Sequence, residues 1–204
     1  SSDVCSSDLS NFNPVIIADK LSVRASFHKK PDNVDFDIII NPKMSFGTGH
    51  HETTSLVAEI MLNHNFTNLK VLDMGCGTGI LAILAKLKGA DVVWAIDNDE
   101  WAYNNSIENC ATNNCSDINV FLGDAENIPD IKFDYIIANI NRNILLQDMN
   151  KYVNALIGNG RIIFSGFYND DIKIIDEKAV SLNLKSENII ENNKWVACSY
   201  VNSK

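Results

Sequence analysis

A glycine-rich loop placed directly after a short apolar strand is the feature that most constrains the fold of this chain. Residues 70–74 read Lys-Val-Leu-Asp-Met, the pattern of a buried strand, and Gly75, Gly77 and Gly79 follow at once. Residues 80–87 then carry apolar side chains at helical spacing. Because glycines let a strand turn sharply into a helix and let a ligand approach the backbone, the segment predicts one βα unit with a binding loop.

Strands and helices alternate through the rest of the chain. The pattern predicts strands at 92–96, 118–122, 133–138 and 161–165, and helices at 100–110, 143–156 and 171–182. Two further strands, 185–191 and 194–201, are joined at Asn192-Asn193, which tolerates the positive φ of a tight turn. This order predicts an α/β fold with a doubly wound, mainly parallel sheet and a C-terminal antiparallel hairpin.

The residues before the loop divide into three parts. Residues 1–10 form a polar, near-duplicated leader that we expect to be disordered or non-native. Residues 11–45 carry short β-like runs at 15–17, 21–25 and 35–40 and are predicted to be a linker. The main domain is expected to cover 46–204. It starts with a helix over 51–64, for which Thr53 or Thr54 is a candidate cap.

Composition excludes several classes of protein. The formal charge of -9 disfavours binding to nucleic acid over a large surface and is better suited to a basic protein partner. No apolar run reaches the roughly 18 residues of a membrane span, and no segment resembles a signal peptide. The five scattered cysteines indicate a reducing compartment, so we expect a cytoplasmic protein. We also expect a monomer. The cysteines also lack the spacing of a metal site, and no metal is expected.

The spacing of the loop points to a cofactor other than a dinucleotide. A dinucleotide fingerprint needs glycine at its sixth position, where this chain has Ile80, and this argues against a nicotinamide-dependent oxidoreductase. Asp73, just before the loop, would oppose a phosphate but could hold the ammonium group of a methionine moiety. Asp97 ends the next strand 22 residues after Gly75 (97 minus 75), close to the offset of about 20 at which an acidic residue accepts ribose hydroxyls.

Two more polar residues follow predicted strands. Asp124, in Gly123-Asp124-Ala125, is a candidate to bind an adenine amino group, and a simple turn role is the alternative. Asn139 ends the fourth main strand at the crevice where open α/β sheets bind ligands. Its amide oxygen could hold a substrate amine, although a plain loop asparagine is the alternative. Together with the loop, these residues indicate binding of S-adenosylmethionine.

Three stretches of this chain resemble one family. They are 41–54 (Asn-Pro-Lys-Met-Ser-Phe-Gly-Thr-Gly-His-His-Glu-Thr-Thr), 71–83 with the glycine loop, and 138–140 (Ala-Asn-Ile). They look like the bacterial ribosomal protein L-eleven methyltransferases, and the similarity covers about 11–201. The glycine loop is shared by many methyltransferases, whereas the stretch that contains Phe46 and Thr54 is much more specific.

The resemblance implies a class I S-adenosylmethionine-dependent methyltransferase that modifies lysine side chains and the N-terminal amine of that ribosomal protein. By motif position, it implies cofactor contacts from Thr54, Gly75, Asp97 and Asn139. Asp73, Gly77 and Asp124 join this predicted cofactor site on the arguments given above. Asn139 is also the predicted orienting residue for the substrate amine. The active-site mouth would be lined by Phe46, Gly47, Thr48 and Gly49.

Some features depart from the family or leave alternatives open. Family members carry a separate N-terminal recognition domain, and this chain is expected to hold at most its linker. His50 could accept a proton near the substrate, while a plain loop role for His50 and His51 is the alternative. A methyltransferase acting on RNA or a small molecule, and a non-catalytic cofactor-binding module, also fit the glycine loop.

Overall fold

The computed structural model describes residues 13–40 and 52–204, which form two sheets and five α-helices. The first sheet contains β1 (Val15–Ile17), β2 (Leu21–Arg24) and β3 (Phe36–Ile39). The main sheet contains β4 (Lys70–Met74), β5 (Val92–Asp97), β6 (Asn119–Leu122), β7 (Phe133–Asn139), β8 (Leu156–Tyr168), β9 (Leu184–Asn192) and β10 (Trp195–Asn202). The helices are α1 (Glu52–Leu62), α2 (Ile80–Leu87), α3 (Glu100–Thr112), α4 (Arg142–Ala155) and α5 (Ile172–Ser181).

The main sheet confirms the predicted fold class. Its strand order is β6-β5-β4-β7-β8-β10-β9. The first five strands in this order pair in parallel, and β10 pairs antiparallel with both β8 and β9. Because the order reverses at β4, the carboxyl ends of β5 and β7 lie on either side of the glycine loop, at the switch point where such sheets form a crevice.

A hydrophobic core lies on each face of this sheet. One core joins α1 and α2 to the small sheet, with buried residues such as Val23, Ile38, Met61 and Ile83. The other packs α4 and α5 against the opposite face, and it contains the buried apolar side chains of α4, including Leu145 and Tyr152. Both faces of the central parallel strands are therefore covered, as a parallel sheet requires.

The small sheet is fixed to the main domain by polar contacts as well as by packing. The side chain of Asn113, at the end of α3, accepts a hydrogen bond from the Ile39 amide (2.8 Å) and donates one to the Ile39 carbonyl (2.7 Å). Within the sheet, the guanidinium of Arg24 makes two hydrogen bonds to the Asp37 carboxylate, at 2.9 and 2.7 Å. The predicted strands of this region are confirmed, and they pack into the same core as α1 and α2.

Two local predictions are wrong. Thr53 and Thr54 do not cap α1, because the helix already begins at Glu52 and both threonines are buried within its first turn. The hairpin turn lies one residue later than expected. Asn192 pairs with Trp195, so Asn193 and Lys194 form the turn and take φ values of 49° and 69°. The position of the turn is set by the pairing of β9 with β10, and not by the preference of asparagine for positive φ.

Candidate functional site

A cleft of about 690 Å³ opens at the carboxyl ends of β4, β5 and β7. Its floor is the glycine loop with the start of α2. The β5 side contributes Asp97, Asn98, Asp99, Trp101 and Ala102, and the β7 side contributes Thr54, Asn139, Ile140, Asn141, Ile144, Gly166 and Trp195. The cleft therefore occupies the predicted crevice and contains side chains from both sides of the switch point.

The glycine loop is shaped by tight packing as well as by its backbone. Gly75 has a φ of 69°, and a Cβ at this position would lie 2.3 Å from Cγ2 of Ile140. Its amide donates a hydrogen bond of 2.8 Å to the Ile96 carbonyl at the end of β5. Gly75 therefore lets β4 turn while Ile140 packs against it, a structural reason for glycine that adds to the predicted ligand approach.

Asp97 connects the loop to the end of β5. One carboxylate oxygen accepts a hydrogen bond of 2.8 Å from the Gly77 amide, and the other accepts one of 3.0 Å from the Asp99 amide. Asp99 in turn caps α3, since its side chain accepts from the Ala102 amide at 2.9 Å. The carboxylate of Asp97 is thus fixed in the cleft, and Asp99 is the N-terminal cap of α3.

Asn139 lies at the other side of the loop, next to α1. Its Nδ2 donates to Oγ1 of Thr54 over 3.4 Å, a long hydrogen bond. Both residues line the cleft. With Nδ2 directed to Thr54, the amide oxygen of Asn139 is the atom that can accept a hydrogen bond from a ligand.

Asp73 lies beneath the loop rather than in the cleft. It is fully buried and is absent from the cleft lining. One of its oxygens accepts from the Ala82 amide at 3.1 Å, and Oδ1 has no hydrogen-bond partner in the described part of the chain. Burial raises the pKa of Asp73 to about 7, with a smaller contribution from the nearby Asp97 charge. Asp73 therefore lies near Asp97 but does not line the cleft with it.

Asp124 is placed at a turn. Its side chain accepts from the Glu126 amide at 2.9 Å and caps a short 3₁₀ helix over Ala125–Asn127, while Asn127 bonds back to the Asp124 amide. The residue is exposed and does not line the cleft. Of the two roles expected from the sequence, this geometry supports the turn, and the adenine contact stays a prediction.

The structure adds cleft residues that the sequence analysis did not single out. Gly166 has a φ of 93°, and a Cβ there would lie 2.3 Å from the Ile140 carbonyl oxygen. Trp195 lines the cleft at the start of β10 and stacks on Tyr168, with ring centroids 4.0 Å apart. In the sequence, these two positions were marked only as a glycine and an aromatic residue near the ends of strands.

The predicted mouth residues Phe46 to Gly49, with His50 and His51, lie outside the described residues.

Comparison with known proteins identifies the family. The family described as Ribosomal protein L11 methyltransferase (PrmA) matches residues 2–203. The chain belongs to this family. A ribosomal protein L11 methyltransferase from Porphyromonas gingivalis is 50% identical over 190 residues, which cover 93% of this chain and 66% of that protein. The relative of the same name from Phocaeicola vulgatus is 47% identical, with 68% of its length covered, so the chain spans about two thirds of these curated relatives.

Solved structures agree with this family assignment. A ribosomal protein L11 methylase from Lactobacillus delbrueckii subsp. bulgaricus superposes with a TM-score of 0.86 at 26% identity, covering 95% of this chain and 99% of that one. A magnesium protoporphyrin IX methyltransferase from Synechocystis, solved with bound SAM, has a TM-score of 0.62 at 17% identity, covering 74% of this chain and 78% of that one. The second likeness shows the shared methyltransferase fold.

The cleft fits the predicted cofactor. Its volume lies within the range of about 300–1,000 Å³ typical of small-molecule sites. The carboxylate of Asp97 makes two hydrogen bonds to backbone amides, and a carboxylate has lone-pair sites for about four, so it can accept two more. Its charge also suits a cationic sulfonium ligand.

Within residues 13–40 and 52–204, no helix is both long and apolar enough to cross a membrane.

Proposed function

We propose that this chain binds S-adenosylmethionine in the cleft and transfers methyl groups to lysine and N-terminal amines of ribosomal protein L11. The observation that carries the proposal is the placement of Asp97 and Asn139 in one cleft, on opposite sides of the glycine loop. Membership of the family supports the protein substrate. The charge of -9 favours a basic protein over nucleic acid, and we expect a monomer that acts in the cytoplasm.

The residues of the cleft divide the task between binding and orientation. Asp97 would accept hydrogen bonds from ribose hydroxyls, with the glycine loop beneath the methionine moiety. Thr54 would position the Asn139 amide, and Asn139 would bind both the cofactor and the incoming amine. When bound, S-adenosylmethionine supplies a methyl group on a positively charged sulfur. Such a reaction depends mainly on positioning, because no side chain has to attack the substrate first.

The substrate amine must reach the cleft as a neutral base. A free lysine titrates near pH 10.4, and desolvation in a narrow slot lowers that pKa because it disfavours the ammonium form. The amide oxygen of Asn139 would then accept a hydrogen bond from the amine and direct its lone pair. The C–N bond forms as the C–S bond breaks, and the methylated ammonium releases a proton to solvent.

Substitution of Asn139 by alanine tests this division of roles. We expect Asn139→Ala to lower the rate of methyl transfer by about a hundredfold or more, because correct orientation contributes on that scale. The affinity for S-adenosylmethionine, measured by calorimetry, should fall much less. Asn104→Ala is the matched control, since Asn104 is an exposed asparagine on α3 outside the cleft. An equal loss of rate and affinity in Asn139→Ala would point to a role in cofactor binding alone.

The substrate is tested by intact-mass spectrometry after incubation with labelled cofactor. Separate reactions contain ribosomal protein L11, ribosomal RNA and a pool of small metabolites. Methyl groups on L11 support the proposal, and label on RNA or on a metabolite would overturn the substrate assignment. Binding of the cofactor with no transfer to any of these substrates would favour a non-catalytic module.

A further inference from the structure

Trp101 is an exposed aromatic side chain at the rim of the cleft. Its relative exposure is 77%, the highest among the large hydrophobic residues described. The other two tryptophans have ring partners, since Trp94 packs on Phe121 and Trp195 on Tyr168. Within residues 13–40 and 52–204, no aromatic ring pairs with Trp101. A large indole surface is therefore left in water next to the candidate site.

The packing of α3 does not account for this tryptophan. The buried face of the helix consists of Ala102, Asn105, Ser106, Asn109 and Cys110. Trp101 lies beside that face, and the residues three and seven positions later, Asn104 and Glu108, are exposed and polar. An apolar stripe for another helix or a partner protein would continue at these positions. Trp101 is instead a single aromatic residue in the first turn.

The position of Trp101 relative to Asp97 is fixed by the backbone. The Asp97 carboxylate accepts from the Asp99 amide, and the Asp99 carboxylate accepts from the Ala102 amide on the other side of Trp101. Trp101 and Asp97 also line the same side of the cleft, at the end of β5. The strand order β5-β4-β7 places this side across the glycine loop from Asn139. Trp101 therefore belongs to the ribose side of the cleft and not to the amine side.

We propose that Trp101 binds the purine ring of the cofactor by stacking, and so determines affinity for the nucleoside end of the ligand. The inference rests on the cofactor named in the proposed function. A purine is flat, uncharged and attached to the ribose that Asp97 would hold, and its face is the chemistry that an exposed indole recognises. S-adenosylmethionine and its product S-adenosylhomocysteine carry the same nucleoside, so the contact stabilises both complexes to the same extent.

Calorimetry with both ligands tests the proposal. Trp101→Ala should weaken the binding of S-adenosylmethionine and of S-adenosylhomocysteine by the same factor, about tenfold, which is the lower part of the range for a base stacked on an aromatic residue. Trp101→Phe should retain most of the affinity, because a phenyl ring still offers a stacking face. Trp94→Phe is the matched control and should bind both ligands like the parent chain, since Trp94 is outside the cleft lining.

Other outcomes separate this inference from the proposed function. If the parent chain binds neither ligand, the cofactor assignment fails and this inference fails with it. If the parent chain binds both ligands and Trp101→Ala binds them equally well, only the role of Trp101 is overturned. An unchanged cofactor affinity with a raised KM for ribosomal protein L11 would also overturn it, because Trp101 would then contact the protein substrate. Trp101 is exposed, so thermal unfolding of the variants should match that of the parent chain.

Discussion

At the scale of single residues, Asp73 couples the stability of the domain to pH. Its carboxyl group is fully buried, with one oxygen bonded to the Ala82 amide and the other without a partner in the described part of the chain. Burial raises its pKa to about 7, whereas the pKa of an aspartate in the unfolded chain is about 4. The folded state therefore binds its proton more tightly than the unfolded state. The free energy of unfolding falls as the pH rises between these two values.

Replacement of Asp73 by asparagine should remove this pH dependence. The amide is neutral at every pH and can still accept the hydrogen bond from Ala82. Between about pH 4 and about pH 7, the parent chain should lose stability relative to Asp73→Asn, by at most about 4 kcal/mol. Urea unfolding at a series of pH values measures the difference. Parallel stability curves for the two proteins would show that the pKa of Asp73 is the same in the folded and unfolded states.

Gly166 is a second residue whose role is visible only in three dimensions. Gly166→Ala would combine a φ of 93° with a Cβ 2.3 Å from the Ile140 carbonyl oxygen, so the backbone next to Asn139 must shift. We expect a loss of about 2–4 kcal/mol in the free energy of unfolding, together with weaker methyl transfer.

Gly89→Ala is the control for backbone strain. Gly89 has a similar φ of 95°, but its Cβ would lie 3.4 Å from Thr67, an acceptable contact. It should cost only about 1–2 kcal/mol. Equal losses in the two variants would mean that contact with Ile140 is unimportant.

At the scale of elements, the small sheet is attached to α3 through Asn113. Asn113→Ala removes both hydrogen bonds to Ile39, and the backbone groups of β3 lose their partners. We expect a loss of about 1–3 kcal/mol, because unpaired, partly buried polar groups carry a desolvation penalty. Hydrogen exchange should accelerate at the Ile39 amide more than in β4. Asn104→Ala, on the exposed side of the same helix, should leave exchange at Ile39 unchanged.

The sequence predicted those elements whose signals are local. The strand at 70–74 and the helix at 80–87 depend on apolar residues within a few positions of one another, and the structure confirms both. The turn at Asn193 and Lys194 depends on pairing between strands. The turn preferences of single residues carry no information about this pairing, so the turn was predicted one residue too early.

The candidate site was predictable to a similar extent. Residues at strand ends, such as Asp97 and Asn139, could be placed by the rule that parallel strands meet at one crevice. Asp73 lies one residue before the end of β4 and is fully buried, with its carboxylate bonded to the Ala82 amide of α2, because successive side chains of a strand point to opposite faces of the sheet. Gly166 and Trp195 come from strands late in the chain, and only the sheet order brings them to the cleft.

At the scale of the whole molecule, net charge should affect association with the proposed protein substrate. A charge of -9 attracts a positively charged partner over a distance that salt shortens. From about 0.01 M to about 1 M salt, the Debye length falls from about 30 Å to about 3 Å. The KM for ribosomal protein L11 should therefore rise across this series while kcat stays nearly constant. A KM that falls with added salt would indicate apolar docking instead.

The placement of β10 also bears on how the protein is made. In space this strand lies between β8 and β9, yet it is the last of the three to leave the ribosome. Until residues 195–202 emerge, the nascent chain exposes the open edge of β8, and the Ser165 hydroxyl has no Val196 carbonyl to which it can donate. During translation, this half of the domain is therefore a candidate client for chaperones that shield unpaired strands.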